Sequence, residues 1–454
     1  MAFYLARKCI RTLPGRVIKL VPMPTPSLIE GVDSRGKAGT ACANTGAASA
    51  LLVTSDMLCE LGFHEAVINS LTQAGIRCQV FSGVNTEPTV RIVDAGRQAA
   101  RECGAQCVIA LGGGSVLDAS KMIAAGIKTP RKKTAALLRK FLWVKGKTSP
   151  IVAIPSTAGT GAEMTVGAVI TDERKGKKSS TVVIGLNIAT VILDPQLTQD
   201  APRALTAACG IDALSHGLEG CFADIRVSDE DQRKSMECVR LVLENLPKVL
   251  ADPHDMTARA HMCRAANYGG NAINKQLAGY VHAFAHAIGA KYHLPHGNAI
   301  ALVMLPVIRA QQDILEDDLA ELARYCGLVS EDGTQDATKH NGSQGAAMQG
   351  DSQAAAMQGD SQDATMQASS RNAAPQTNSR SATAQTGSQA AAAQAMLTAL
   401  EDLIALCDFP NQAGLITRAD YAELTRMINA DSINYSPPLT FSDTLIGAVL
   451  SELS

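Results

Sequence analysis

Over residues 48–195, short β-branched runs alternate with stretches of helical periodicity, and this alternation limits the fold more than any other feature of the chain. Residues 50–54, 77–81, 107–111 and 151–154 read as strands, with helices predicted over 57–74, 89–102 and from the third strand through 125. Strands that follow one another with helices between them are joined by crossovers, so they lie parallel in one sheet covered on both faces. After Pro195 the strand signals fade, and residues 204–222, 229–250, 256–274, 278–290 and 300–326 all carry helical periodicity. The expectation is an α/β, Rossmann-like domain with a parallel sheet over residues 1–200, followed by an all-α domain over 201–454.

That helical half is interrupted. Residues 330–392 are dominated by Gln, Ala, Ser, Gly, Asp and Thr, contain no aromatic residue, and repeat Ala-Met-Gln-Gly-Asp-Ser-Gln at 347–353 and 356–362. Such a segment buries too little apolar surface to offset its ordering entropy, so a disordered surface insert is expected, with helical pattern resuming at Ala395. Loop-closure cost rises slowly with length, so a loop between two helices tolerates this growth. With 41 Lys+Arg against 43 Asp+Glu, nothing electrostatic favours nucleic acid or an anionic membrane as partner. No apolar run approaches the ~20 residues that cross a bilayer. Twelve cysteines are scattered from Cys9 to Cys407 without a CxxC pair, which points to free thiols and a reducing, cytoplasmic setting. Arg7, Lys8, Arg11, Arg16 and Lys19 precede the first acidic residue, Glu30, and faintly resemble a targeting segment. Without a continuous apolar core, and with Pro14 breaking any amphipathic helix, a structured N-terminal extension is the expectation.

Chemistry concentrates in four places. Gly112-Gly113-Gly114-Ser115 follows the third strand and opens a helix, an arrangement that offers backbone amides and a helix N-terminus to phosphate oxygens. It is not the GxGxxG fingerprint, and a tight turn without a ligand is the competing reading. Pro155-Ser156-Thr157-Ala158-Gly159-Thr160-Gly161 follows another strand and adds hydroxyls for the same ligand. Gly146-Lys147-Thr148 resembles the end of a P-loop, but Phe141 stands where the first glycine is required. The basic stretch 128–147 reads as a solvated connection. Histidines carry the strongest signal. Asp212 and His216 are four apart on one predicted helix, His282 and His286 four apart on another, and His293 and His296 follow closely. Side chains at that spacing share a helix face. Imidazoles with one carboxylate suit Fe(II) or Zn(II) far better than Mg or Ca. His64, His254, His261, His293 and His340 are assigned no role.

These motifs together resemble the iron-dependent (group III) alcohol dehydrogenases. Gly112-Gly113-Gly114-Ser115 with Asp118 and Lys121 is similar to the family's cofactor motif, with Ser120 where alanine is usual. The stretch from Ile154 to Glu163 is similar to its second nucleotide motif, and the segments 210–216 and 281–297 to its two metal motifs. The resemblance implies metal ligation by Asp212, His216, His282 and His296, with Fe(II) or Zn(II) as cofactor. It places His286 beside the metal as a proton relay. It maps NAD or NADP contacts to Gly113, Gly114, Ser115, Asp118, Ser156, Thr157, Thr160 and Lys178. Ser55 stands where many members have an aspartate on the adenosine ribose, with Asp56 next to it, so the choice between NAD and NADP stays open. Glu87 replaces the usual Asn or Asp. The implied activity is reversible hydride transfer between a small primary alcohol or aldehyde and the nicotinamide, in a homodimer or larger homo-oligomer. Alternatives are a dehydroquinate-synthase-like or glycerol-dehydrogenase-like enzyme of the same fold, or a non-catalytic scaffold that uses the insert.

Overall fold

The computed structural model describes residues 23–330 and 379–454, apart from 226, 411 and 413. The basic N-terminal segment, Cys9, His340 and most of the insert lie outside the described residues. The strands are β1 (Ser27–Glu30), β2 (Ser49–Val53), β3 (Arg77–Phe81), β4 (Cys107–Gly112), β5 (Phe141–Trp143), β6 (Ile151–Pro155), β7 (Gly167–Asp172), β8 (Lys177–Ile184) and β9 (Ile188–Leu193). In the first half they are interspersed with α1 (Ala38–Ala43), α2 (Asp56–Glu60), α3 (Phe63–Gln73), α4 (Val90–Glu102), α5 (Gly114–Lys128) and α6 (Thr134–Leu137). Among the described residues after β9, only helices follow: α7 (Arg203–Phe222), α8 (Asp229–Ala251), α9 (Met256–Gln276), α10 (Tyr280–Tyr292), α11 (His296–Arg309), α12 (Gln312–Tyr325), α13 (Ser379–Leu406), α14 (Tyr421–Ser432) and α15 (Asp443–Glu452).

Six strands form one parallel sheet in the order β1-β9-β6-β4-β2-β3. Every residue of β2, β4 and β6 is buried, as a sheet packed on both faces requires. Neighbouring residues separate by face: Leu51, Val108 and Ala153 join the core on one side, Leu52, Ile109 and Val152 the core on the other. The chain runs outward from β2 to β3, then returns to β4 on the opposite side of β2. The crevice at the carboxyl ends of β2 and β4 is therefore the switch point where such sheets bind ligands.

A second sheet, β5-β8-β7, was not expected from the sequence. Phe141–Trp143 lies inside the stretch read as a solvated connection, yet Phe141, Leu142 and Trp143 pair with Val182, Val183 and Ile184. Period-two burial in β7 (Ala168, Ile170 and Asp172 inward) marks it as a strand with one face packed. The predicted helix 57–74 is broken at Gly62 (φ 75°), and 300–326 is broken between α11 and α12.

Helix α13 begins at Ser379, inside the segment that composition assigns to the insert, and buries Ala392 and Ala393 in the helical core. Alanine's high helix propensity and small side chain suit this close packing. It runs antiparallel to α12: Gln389 meets Asp317 and Arg324 of α12, and further along Glu401 meets Arg309 at the end of α11. Replacing 331–378 by a short Gly/Ser linker should accordingly leave thermal stability close to that of the full chain. Removing 330–392 should lower it by several degrees, because the core loses Ala392 and Ala393. Differential scanning calorimetry of the two deletions compares them directly.

Candidate metal centre and nucleotide cleft

Asp212, His216 and Glu219 lie on one face of α7, four and three residues apart. The turn after α10, with His293 left-handed at φ 56°, brings the first residue of α11, His296, back beside His282 of α10. Asp212 Oδ1 thereby lies 3.5 Å from His216 Nε2, 3.8 Å from His282 Nε2 and 3.2 Å from His296 Nε2. One ligand atom each of Asp212, His282 and His296 falls within 4.8 Å of the others. His216 is not one of that mutual group; its ring is stacked on His282 with centroids 4.9 Å apart.

Asp212 Oδ1 and His282 Nε2 are buried without a hydrogen-bond partner. An orphaned buried acceptor costs about 1–3 kcal/mol, and both atoms face the point where a cation would satisfy them. Burial pushes the His216 imidazole down to about 4, so it is neutral with a lone pair to give. Burial alone would raise the Asp212 carboxyl, but the surrounding imidazoles outweigh it and hold the group well below the usual carboxylate range. One carboxylate and three imidazoles fit Fe(II) or Zn(II).

Two carboxylates orient the α10 histidines. His282 Nδ1 donates to Glu219 Oε2 at 2.6 Å, and the His282 backbone N–H donates to Glu219 Oε1 at 3.2 Å. This fixes Nε2 as the metal-facing atom, the usual carboxylate–histidine arrangement behind a metal ligand. Glu219→Gln should lower metal affinity about 10- to 100-fold, read by competition with a chromophoric chelator. On the outer side, His286 Nδ1 lies 2.8 Å from Asp431 Oδ2, and the Tyr435 hydroxyl donates to the same oxygen at 2.8 Å. The His286 and His296 side chains are 45% and 42% exposed, so the centre opens toward them.

The nucleotide motifs converge at the switch point. Gly113 caps α5 without a side-chain bond, which leaves the helix N-terminus open to an anion. A Cβ on Gly113 would lie 3.3 Å from Thr157, and one on Gly114 3.2 Å from Thr160, so the two turns form one wall. The second turn is riveted to the helical half. Gly161 (φ 56°) touches Gly270 of α9, Asn267 donates to Glu163 at 3.1 Å, and the Val166 N–H donates to Asn274 at 3.0 Å. Ser156 and Thr157 also line a cleft of about 310 Å³ reaching Leu205 and Cys209 of α7, one turn before Asp212. Glu87 and Lys178 pair with each other at the exposed rim. Two expected contacts are engaged within the protein. Asp118 takes Lys121 Nζ at 3.0 Å and the Val169 N–H at 2.9 Å, and Ser55 caps α2 by accepting from the Leu58 N–H at 3.4 Å. Asp56 is held by Ser82 and Asn85 at 2.5 and 2.6 Å.

Residues 24–195 match the iron-containing alcohol dehydrogenase family, and residues 206–386 match its C-terminal domain. A probable alcohol dehydrogenase, EutG of Salmonella typhimurium, is 30% identical over 71% of this chain and 84% of its own length. The chain belongs to the iron-containing alcohol dehydrogenase family. A choline dehydrogenase of Bacillus subtilis is 31% identical, with 69% of this chain and 79% of that protein aligned. Aldehyde-alcohol dehydrogenase 2 of Entamoeba histolytica is 32% identical over 58% of this chain, which spans only 31% of that longer protein. Two solved structures share the fold: a 1,3-propanediol oxidoreductase (TM-score 0.77, 24% identity, 96% of this chain and 100% of that one) and an Oenococcus oeni alcohol dehydrogenase (0.75, 23%, 96% and 99%).

In this iron-containing alcohol dehydrogenase family member, reading the sequence missed Glu219 and Asp431. Glu219 carried a signal, since it completes a one-face series with Asp212 and His216. Asp431 carried none: it stands 145 residues beyond its partner, His286. Among the unassigned histidines, His261 bonds Asn245 and His293 serves the α10 turn, both away from any ligand role.

Proposed function

We propose that the protein is a metal-dependent alcohol dehydrogenase and aldehyde reductase that transfers hydride reversibly between a small primary alcohol and NAD or NADP. The observation that carries this is the buried meeting of Asp212 Oδ1 with three imidazole nitrogens, two of the atoms orphaned, beside an open glycine turn at the switch point. In this reading Asp212, His216, His282 and His296 hold Fe(II) or Zn(II). When bound, the cation lowers the pKa of an alcohol and polarises an aldehyde carbonyl. The first-turn amides at Gly114 and Ser115, with Ser156, Thr157 and Thr160, would hold the phosphates of the dinucleotide. Glu87 and Lys178 close the outer rim. A bound nicotinamide would take up the hydride that the carbinol carbon gives up, while His286 would take the hydroxyl proton toward solvent.

Eleven free thiols among the described residues support a reducing, cytoplasmic setting. Among those residues no helix is long and apolar enough to cross a membrane. Strand β1 forms the outer edge of the parallel sheet with Leu28 and Val32 exposed, which supports a homo-oligomer. Anaerobic purification with elemental analysis, then an aldehyde panel assayed with NADH and NADPH, tests the function. About one iron or zinc per chain and aldehyde-dependent oxidation of the nucleotide are expected. Metal-replete protein that oxidises neither nucleotide with any aldehyde would overturn the reading.

A further inference from the structure

Helix α14 lies across α10 and is pinned at one end. Lys291 reaches Asp420 at 3.0 Å and Glu423 at 2.6 Å, and the Tyr292 hydroxyl donates to Asp420 at 2.9 Å. At the other end of this clamp stands a closed group of three. The His286 ring nitrogen Nδ1, Asp431 Oδ2 and the Tyr435 hydroxyl lie 2.8, 2.8 and 3.1 Å apart pairwise. Asp431 belongs to α14 and Tyr435 to the turn just after it, so the distant C-terminal segment, not the nucleotide half, furnishes this side of the opening.

The donors and acceptors in the group permit one assignment. A carboxylate only accepts, and a bare Nδ1 lone pair facing it at 2.8 Å would be repelled. Nδ1 must therefore carry hydrogen and donate to Asp431. The Tyr435 phenol is kept in its O–H form by burial and by the same carboxylate, and it donates to that oxygen as well. Neutral His286 is left with its lone pair on Nε2, on an imidazole whose centroid is 5.2 Å from that of His296 and 5.8 Å from that of His282. The pairing mirrors His282 and Glu219 one turn earlier on α10. There the partner is buried and the histidine faces a metal. Here the histidine is nearly half exposed and faces the mouth.

We propose that Asp431 is the positioning residue for His286: it fixes the Nδ1–H tautomer, assisted by Tyr435, so that Nε2 is the atom that accepts the hydrogen of an alcohol hydroxyl entering the site. This rests on the dehydrogenase reading for the identity of the hydroxyl, but the tautomer itself does not.

The test uses the full-length, zinc-loaded protein labelled with ¹⁵N-histidine, with His286→Ala assigning the signal. The wild type should show hydrogen on Nδ1 of His286, and Asp431→Ala should shift it to Nε2 or to a mixture. In parallel, kcat for a primary alcohol should fall about tenfold or more in Asp431→Ala, with zinc content unchanged. The same substitution in a His286→Ala background should cause no further fall. Asp431→Asn, which keeps the side chain's size, guards against misfolding and should lose kcat rather than KM. Hydrogen on Nε2 in the wild type, or an equal loss from Asp431→Ala with and without His286, would overturn the proposal. A wild type with the Nδ1 tautomer but no turnover of any alcohol or aldehyde would instead remove the dehydrogenase reading and leave the positioning role supported.

Discussion

Asp212→Asn should yield a folded protein that binds little metal and turns over about a thousandfold more slowly than the wild type. The loss corresponds to ~4 kcal/mol of transition-state stabilisation, within the several kcal/mol that a Lewis-acidic cation contributes. The substitution is nearly isosteric and removes the one anion among three imidazoles, so its effect falls on cation affinity before it falls on packing. Differential stability separates the two. A cation that binds only the folded chain at a hundred times its Kd adds about 2.7 kcal/mol, so a chelator should lower the wild-type melting temperature by several degrees. The same chelator should leave Asp212→Asn unmoved. Elemental analysis and calorimetry report both. A variant with full metal content and wild-type turnover would show that Asp212 is no ligand.

The second large effect is expected far from any metal. Gly161→Ala should cost about 2–5 kcal/mol, summing roughly 1–2 kcal/mol for a left-handed alanine and 1–3 for overpacking. The added Cβ would lie 2.4 Å from both the Ala266 carbonyl oxygen and Gly270 Cα, backbone atoms of α9 that have no rotamer to yield. Gly270→Ala meets Gly161 O at 2.2 Å from the other side, so the double variant should cost much less than the sum of the two. Because the same turn carries Ser156, Thr157 and Thr160, nucleotide affinity should fall along with the urea midpoint. Wild-type stability in Gly161→Ala would show that this contact does not set the spacing of the two halves.

The fold was legible wherever periodicity and burial agree. The four strands read from the sequence lie within one residue of β2, β3, β4 and β6; in β2, β4 and β6 packing on both faces leaves unbroken apolar runs. Two of the side-chain pairs at the candidate centre were legible because helical spacing places Asp212 with His216 and His282 with His286 before any tertiary contact is known. What escaped was tertiary in origin. Phe141–Trp143 is a strand because β8 pairs with it, and its basic surroundings conceal that. The start of α13 was lost in alanine-rich composition that reads alike for helix and for coil. Asp431 reaches His286 only through the packing of α14 on α10, a contact that no local pattern encodes.

The antiparallel packing of α12 on α13 has a practical consequence. Chain leaving the first of these helices and chain entering the second emerge at the same end of the pair, remote in sequence from the proposed metal and nucleotide residues. That junction is a natural socket for a grafted reporter: a fluorescent domain with adjacent termini, spliced between Ser330 and Ser379, should ride on the folded chain.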